Sequence, residues 1–219
     1  MSDTSGQLSL ELEQPLAARQ ILAPGALLLR GFALADEDRL LSELEDVTRA
    51  APFRHMRTPG GFRMSVAMTN CGSLGWVSDE NGYRYDARDP ESAKPWPALP
   101  ESFERLARLA AAQAGFAFEP DACLVNRYVP GSRLTLHQDR NERDFTAPIV
   151  SVSLGLPAVF LFGADTRKMR PVRIPISHGD VVVWGGPARL RFHGVAPIKD
   201  GLHPRVGAVR INLTLRKAG

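Results

Sequence analysis

The sequence predicts a mostly β protein with flanking helices, its β core running from about residue 120 to the C-terminus. Three observations carry this expectation. After Pro120 the chain breaks into short alternating runs divided by Gly, Pro, Asn and Asp: ACLVNRYVP, RLTLHQD, PIVSVSLGLPAVFLFG, VRIPISHGDVVVWGG, ARLRFHGV and GAVRINLTLRK. Side chains alternate faces along a strand, so runs at this spacing fold as a sandwich or barrel. Helical periodicity is confined to two earlier segments. Finally, 19 Gly and 17 Pro in 219 residues favour turns over a helical bundle.

Along the chain, residues 1–24 lack strong periodicity and read as an N-terminal arm. GALLLRGFAL (25–34) reads as a strand. ADEDRLLSELEDVTRAA (35–51) opens with acids and places Leu40, Leu41, Leu44 and Val47 at helical spacing, which predicts a helix. Residues 52–98 are rich in turns and hold hairpin signals such as ENGY (80–83). PESFERLARLAAAQAG (100–115) predicts a second helix, with Pro100 at its start and Gly115 at its end. The expected division is an arm (1–24), an α+β extension (25–119) with a lid at about 52–98, and a β core (120–219).

The net charge of +3 is unevenly spread. Residues 1–46 hold nine acids and three bases, whereas 47–78 hold Arg49, Arg54, Arg57 and Arg63 and no acid. From Gly163 onward eleven basic residues face three acids. Clustered cations suit a polyanionic partner, although a solvated basic face has the same composition. Cys71 and Cys123 sit in no CxxC pattern, which argues against a disulfide framework or zinc site and fits a reducing cytoplasm. No apolar run approaches the roughly 18 residues needed to span a bilayer, and no signal-peptide pattern opens the chain. A soluble protein with no membrane partner is expected.

The stretch RLTLHQD carries the first chemical signal. On a strand, His137 and Asp139 at i and i+2 share a face. His193, in RLRFHGV, can add a second imidazole, and two imidazoles with one carboxylate match the facial triad of non-haem Fe(II) oxygenases. His55, His178 and His203 read as structural or surface histidines. RINLTLR supplies a second signal: Arg210, Asn212, Thr214 and Arg216 share one face, Ile211, Leu213 and Leu215 the other. Either face can look into a barrel, but a buried arginine is costly without an anion. A small dicarboxylate answers that need, since Arg pairs with carboxylate through two parallel hydrogen bonds. Asn126 and Tyr128 repeat the i, i+2 spacing and can complete such a site.

Together these residues resemble the AlkB family of Fe(II)- and 2-oxoglutarate-dependent nucleic-acid repair dioxygenases. The likeness extends to MSVAMTNCGSLGW, KPWPALP, PDACLVNRYVPG, LHQD, APIVSVSLGLPAVF and HGDVVVWGG, and spans about residues 25–216. It implies a jelly-roll (double-stranded β-helix) core topped by a nucleotide-recognition lid. It further implies His137, Asp139 and His193 as iron ligands, and Arg210, Arg216, Asn212, Asn126 and Tyr128 around 2-oxoglutarate, with O2 as co-substrate. Trp76, Tyr83 and Arg167 match positions that meet the damaged nucleotide, and Met64, Met68 and Trp184 read as pocket wall or core. Asn141 stands where the family's bacterial pattern has a second acid, which puts the preferred base in doubt. The implied activity is oxidative demethylation of bases such as 1-methyladenine and 3-methylcytosine in single-stranded or flipped-out DNA or RNA, by a cytoplasmic monomer. Arg54, Arg57 and Arg63, with Arg167, Lys168 and Arg170, are expected to hold phosphates. Two alternatives stay open: a 2-oxoglutarate hydroxylase of a protein or small molecule, and a metal-binding nucleic-acid module without turnover.

Overall fold

A computed structural model describes residues 18–219. In chain order the elements are β1 (Arg19–Ala23), β2 (Ala26–Leu29), α1 (Glu37–Ala50), β3 (Ala67–Gly72), β4 (Gly75–Asp79), β5 (Gly82–Asp86), α2 (Glu101–Gln113) and β6 (Ala122–Tyr128). They continue as β7 (Leu134–His137), β8 (Ile149–Gly155), β9 (Ala158–Phe162), β10 (Val172–Ile176), β11 (Val181–Trp184), β12 (His193–Val195) and β13 (Arg210–Arg216). Seven strands form one sheet in the order β1-β2-β11-β8-β13-β6-β3, four form a second in the order β10-β9-β12-β7, and β4-β5 stand apart as a hairpin.

The chain changes sheet between β8 and β9 and again between β10 and β11, which is the winding of a jelly roll. Gly155 makes the first change possible. Its φ of +84° lies in the left-handed region, and a Cβ there would collide with the Val209 carbonyl. The second change turns on Ser177–Asp180, where the Asp180 carboxylate accepts the Ser177 amide at 2.9 Å.

Two apolar clusters hold these layers. Outside the large sheet, Leu40, Leu44 and Val47 of α1 and Phe103, Leu106 and Ala110 of α2 pack on Val125, Val152, Ile211, Leu213 and Leu215. Between the sheets, Leu28, Leu124, Val182 and Trp184 meet Phe160, Phe162, Ile174 and Val195. Each such fully buried side chain contributes about 1.5–3 kcal/mol. This arrangement decides which face of β13 looks inward. Its apolar residues meet the helices, so Arg210, Asn212, Thr214 and Arg216 line the barrel interior.

The helices at 37–50 and 101–113 and the ENGY hairpin appear where expected, the last with Asp79 and Gly82 as register partners. Several boundaries differ. Residues 1–17 of the expected arm lie outside the described residues, and Arg19–Ala23 form an edge strand paired with β2. The run 25–34 stops being a strand at Leu29, because Gly31 adopts φ +64° and its amide turns to Asp180 Oδ1 at 2.9 Å. The large sheet also ignores the division at residue 120, since β1, β2 and β3 all belong to it. Cys71 and Cys123 are free, buried register partners across β3 and β6. Hydrogen bonding to Cys123 and burial push the Cys71 thiol well up, so it stays protonated.

Candidate active site

His137 ends β7 and His193 opens β12, and antiparallel pairing sets the two directly opposite each other. Their ring centroids are 4.4 Å apart. Asp139 follows two residues beyond the strand end, so strand alternation is not what aims it. Its carboxylate is held by Arg216, whose Nη2 and Nε donate to Oδ2 at 2.8 and 3.0 Å. Asp139 Oδ1 then lies 3.7 Å from His137 Nε2, and Oδ2 lies 3.7 Å from His193 Nε2. One ligand atom from each residue falls within 4.8 Å of the others.

The tautomers suit metal binding. His137 Nδ1 is 2.9 Å from the Thr135 carbonyl and His193 Nδ1 is 3.1 Å from the Arg191 carbonyl. A carbonyl only accepts, so each Nδ1 carries the proton and each Nε2 keeps its lone pair for a cation. Burial, reinforced by His137, pushes His193 down to about 4, which keeps it neutral near pH 7. Burial opposes the charge on Asp139, but Arg216, then His193 and His137, hold its carboxyl well below the usual range. Two imidazoles with Nε2 turned to the cluster and one carboxylate therefore fit a divalent metal of the iron class.

The same charges set a pH dependence. A buried neutral histidine whose folded value lies below the unfolded value near 6.5 favours folding fully above that value. The contribution is lost as pH falls toward 4, and Asp139 adds a loss below the carboxylate range. His178, lowered by burial and by His203, has the same sign. Metal-free protein is therefore expected to lose on the order of 3 kcal/mol from His193 between pH 7 and 4. Thermal unfolding followed across that range checks this, and a melting temperature that holds or rises between pH 6.5 and 4.5 contradicts it.

Beyond the triad the cavity, of about 750 Å³, is lined by Asn126, Tyr128, Arg210, Asn212 and Arg216 and by Trp76, Tyr83, Asn141 and Arg167, whereas Arg57, Lys168 and Arg170 stand outside it. Arg210, buried with only 1% exposure, lies over the Tyr128 ring at 5.1 Å and donates from Nη2 to Ser153 Oγ at 3.1 Å. Its Nε and Nη1, like Asn126 Oδ1, have no partner among the described residues. A buried guanidinium left with open donors calls for an anion. Asn212 is satisfied by Ser151 Oγ and the Val152 carbonyl, and it accepts from Thr214. It braces this wall. The donor set thus fits a carboxylate co-substrate such as 2-oxoglutarate.

The β4–β5 hairpin adds Trp76 and Tyr83 to this lining. Trp76 and Tyr83 stack with centroids 5.7 Å apart and planes 16° from parallel. Trp76 Nε1 donates to Asn141 Oδ1 at 3.1 Å, and Asn141 Nδ2 donates to the Tyr83 carbonyl at 3.4 Å. Asn141 thus ties the hairpin to the loop that carries Asp139. Met64, Met68, Phe160 and Trp184 form the apolar floor, and Arg63 and Arg167 stand among the lining residues.

One expectation is narrowed and one needs correction. Arg216 spends two donors on Asp139, which limits what it can offer 2-oxoglutarate. Arg54 does not hold phosphate: it pairs with Asp89 at 2.6 Å and Glu91 at 3.2 Å while lying over Trp96. Sequence reasoning passed over Tyr85, Glu142 and Arg189. Glu142, next to Asn141 in the sequence, is buried against Arg189 at 3.2 Å and Arg216 at 3.4 Å. No local pattern signals this, because its partners lie dozens of residues away.

A jelly roll with a His–Asp–His cluster between its sheets defines a non-haem iron oxygenase, and residues 25–216 match the model of the 2OG-Fe(II) oxygenase superfamily. The chain is 58% identical over 198 residues to the alpha-ketoglutarate-dependent dioxygenase AlkB of Salmonella typhimurium, covering 90% of this chain and 92% of that one. It belongs to this AlkB family of 2-oxoglutarate-dependent dioxygenases. A more distant relative, the tRNA demethylase abh1 of Schizosaccharomyces pombe, is 30% identical over 127 residues, 57% of this chain and 42% of that one. The solved structure of OsALKBH1 superposes with a TM-score of 0.81 at 28% identity, covering 91% of this chain and all of that one. The enzyme uses Fe(II), 2-oxoglutarate and O2. No helix among the described residues is long and apolar enough to cross a membrane.

Proposed function

We propose that this dioxygenase removes small alkyl groups from ring nitrogens of nucleic-acid bases, 1-methyladenine and 3-methylcytosine serving as reference substrates. The observation that carries the reading is the stacked Trp76–Tyr83 pair lining the same cavity as the His137–Asp139–His193 cluster. An aromatic face and a metal-ligand cluster in one cavity suit a flat ring that carries a reactive substituent. A base within a duplex cannot enter, so the substrate is single-stranded or flipped out, at a cost of a few kcal/mol.

When bound, iron with 2-oxoglutarate and O2 supplies oxidation of a C–H bond, coupled to decarboxylation of 2-oxoglutarate to succinate. The alkyl carbon gains a hydroxyl and leaves as an aldehyde, formaldehyde in the case of methyl. The residues around it have separate tasks. His137, Asp139 and His193 hold the metal, with both imidazole tautomers set by backbone carbonyls. Arg210 takes one carboxylate of 2-oxoglutarate, and Asn126, Tyr128 and the free edge of Arg216 complete its cradle while Asn212 braces it. Trp184, Phe160 and Met68 keep water from the reacting atoms. Trp76 and Tyr83 carry the base, Asn141 offers an amide to its edge, and Arg63 and Arg167 meet the neighbouring phosphates. The same reading has the enzyme work as a cytoplasmic monomer, where Cys71 and Cys123 remain reduced.

The test is an oligonucleotide bearing 1-methyladenine, mixed with iron-loaded protein, 2-oxoglutarate and O2. Loss of the methyl by mass, with succinate formed in step, is the expected result. Succinate formed only with a protein or small molecule would support a hydroxylase, and none with any substrate a binding module. In the same assay Trp76→Ala is expected to cost about 1–3 kcal/mol of substrate stacking, roughly 5- to 150-fold in kcat/KM. The KM for 2-oxoglutarate should not move, and a KM for 2-oxoglutarate that rises by the factor that kcat/KM falls would count against a stacking role.

A further inference from the structure

Behind Asp139 lies a buried set of charges centred on Glu142, to which the reaction assigns no role. Glu142 Oε1 accepts the Tyr85 hydroxyl at 2.7 Å and lies 3.4 Å from Arg216 Nε, while Oε2 lies 3.2 Å from Arg189 Nη2. Arg216 is the group that holds the Asp139 carboxylate. Arg189 also donates to the backbone carbonyls of Asp139 and Ala147 at 3.1 Å each, pinning the loop at both ends. Two guanidinium and two carboxylate groups balance, so none can leave without stranding a charge out of water.

The position of Tyr85 gives this set a second meaning. Tyr85 is the register partner of Trp76 across the β4–β5 hairpin. A displacement of the hairpin at Trp76 therefore carries the Tyr85 hydroxyl with it, and through Glu142 reaches Arg216 and Asp139. We propose that Glu142 is a positioning residue that couples the hairpin to the Asp139 carboxylate, so that hairpin seating and ligand geometry are set together. This rests on reading His137, Asp139 and His193 as the metal ligands. Coupling of this kind is reciprocal: metal binding must steady the hairpin by the same factor that a seated hairpin tightens metal.

The test uses Co(II) alone, without 2-oxoglutarate or turnover. Amide exchange across residues 75–86 is followed with and without Co(II), and Co(II) affinity is read from its visible absorption. In the unaltered protein, Co(II) should slow exchange in the hairpin. Tyr85→Phe removes one hydroxyl, keeps the ring and leaves the Asn141 contacts in place. It should abolish that slowing and weaken Co(II) by roughly three- to tenfold, the low side of what partners of metal ligands contribute. Glu142→Leu, which removes the acceptor, should weaken Co(II) further, and adding Tyr85→Phe to it should cost nothing more, because the Tyr85 hydroxyl acts through Glu142. Tyr85→Phe carries the test even if Glu142→Leu fails to fold. A hairpin indifferent to Co(II) in the unaltered protein, slowing that persists in Tyr85→Phe, or additive losses overturn the coupling. Unaltered protein that binds no Co(II) overturns the metal assignment beneath it instead.

Discussion

Replacing Asp139 with alanine is expected to bring succinate formation down to the protein-free background and to destabilise the fold by about 3–5 kcal/mol. The two losses have one origin. Asp139 supplies the only carboxylate of the metal cluster, and it also takes two hydrogen bonds from Arg216, which is 5% exposed. Without it, Arg216 shares Glu142 with Arg189 and Tyr85, leaving two buried cations to one anion. Denaturant unfolding of the metal-free protein measures the second loss separately from turnover. Unchanged turnover in this variant would remove the cluster from the reaction. Unchanged stability would mean that Arg216 finds another partner.

Arg210→Met is expected to have the opposite effect on stability with an equally large effect on function. Truncating one side of a buried charge pair costs about 4 kcal/mol, so the KM for 2-oxoglutarate should rise roughly a thousandfold. Yet in the absence of the co-substrate Arg210 is a buried cation whose Nε and Nη1 have no partner among the described residues, and burial lowers its pKa. Methionine removes that burden, and the variant should unfold about 1–3 kcal/mol later in denaturant when no 2-oxoglutarate is present. Added 2-oxoglutarate should then stabilise the unaltered protein and leave Arg210→Met unmoved. A variant that is less stable without ligand would show Arg210 to be a structural residue. The contrast separates the two arginines of one strand: Arg216 is neutralised within the protein, whereas Arg210 waits for an anion from outside.

Much of this was legible in the chain because strand alternation and helical spacing are local. The helices at 37–50 and 101–113, the ENGY turn and the two-faced strand at 210–216 follow from residues within a few positions of one another. The HxD motif was legible for a different reason from the one that operates. β7 ends at His137, so Asp139 reaches the cluster through Arg216, 77 residues downstream, rather than through the pleat. Arg54 was misleading for the same kind of cause. Counted as a free cation, it is captured by Asp89 and Glu91.

The sequence by itself determined the kinds of group available and their local phase: two imidazoles, a carboxylate, and arginines that share one face of a strand. Those properties need nothing beyond period-two geometry and the chemistry of side chains. Only the tertiary structure decided which groups meet and which charges remain open. Pairing of β7 with β12 sets His193 opposite His137, and packing of α1 and α2 on the outer face turns Arg210 and Arg216 inward. Burial then makes the difference between a satisfied and an unsatisfied guanidinium large, and that difference depends on partners no local pattern can name.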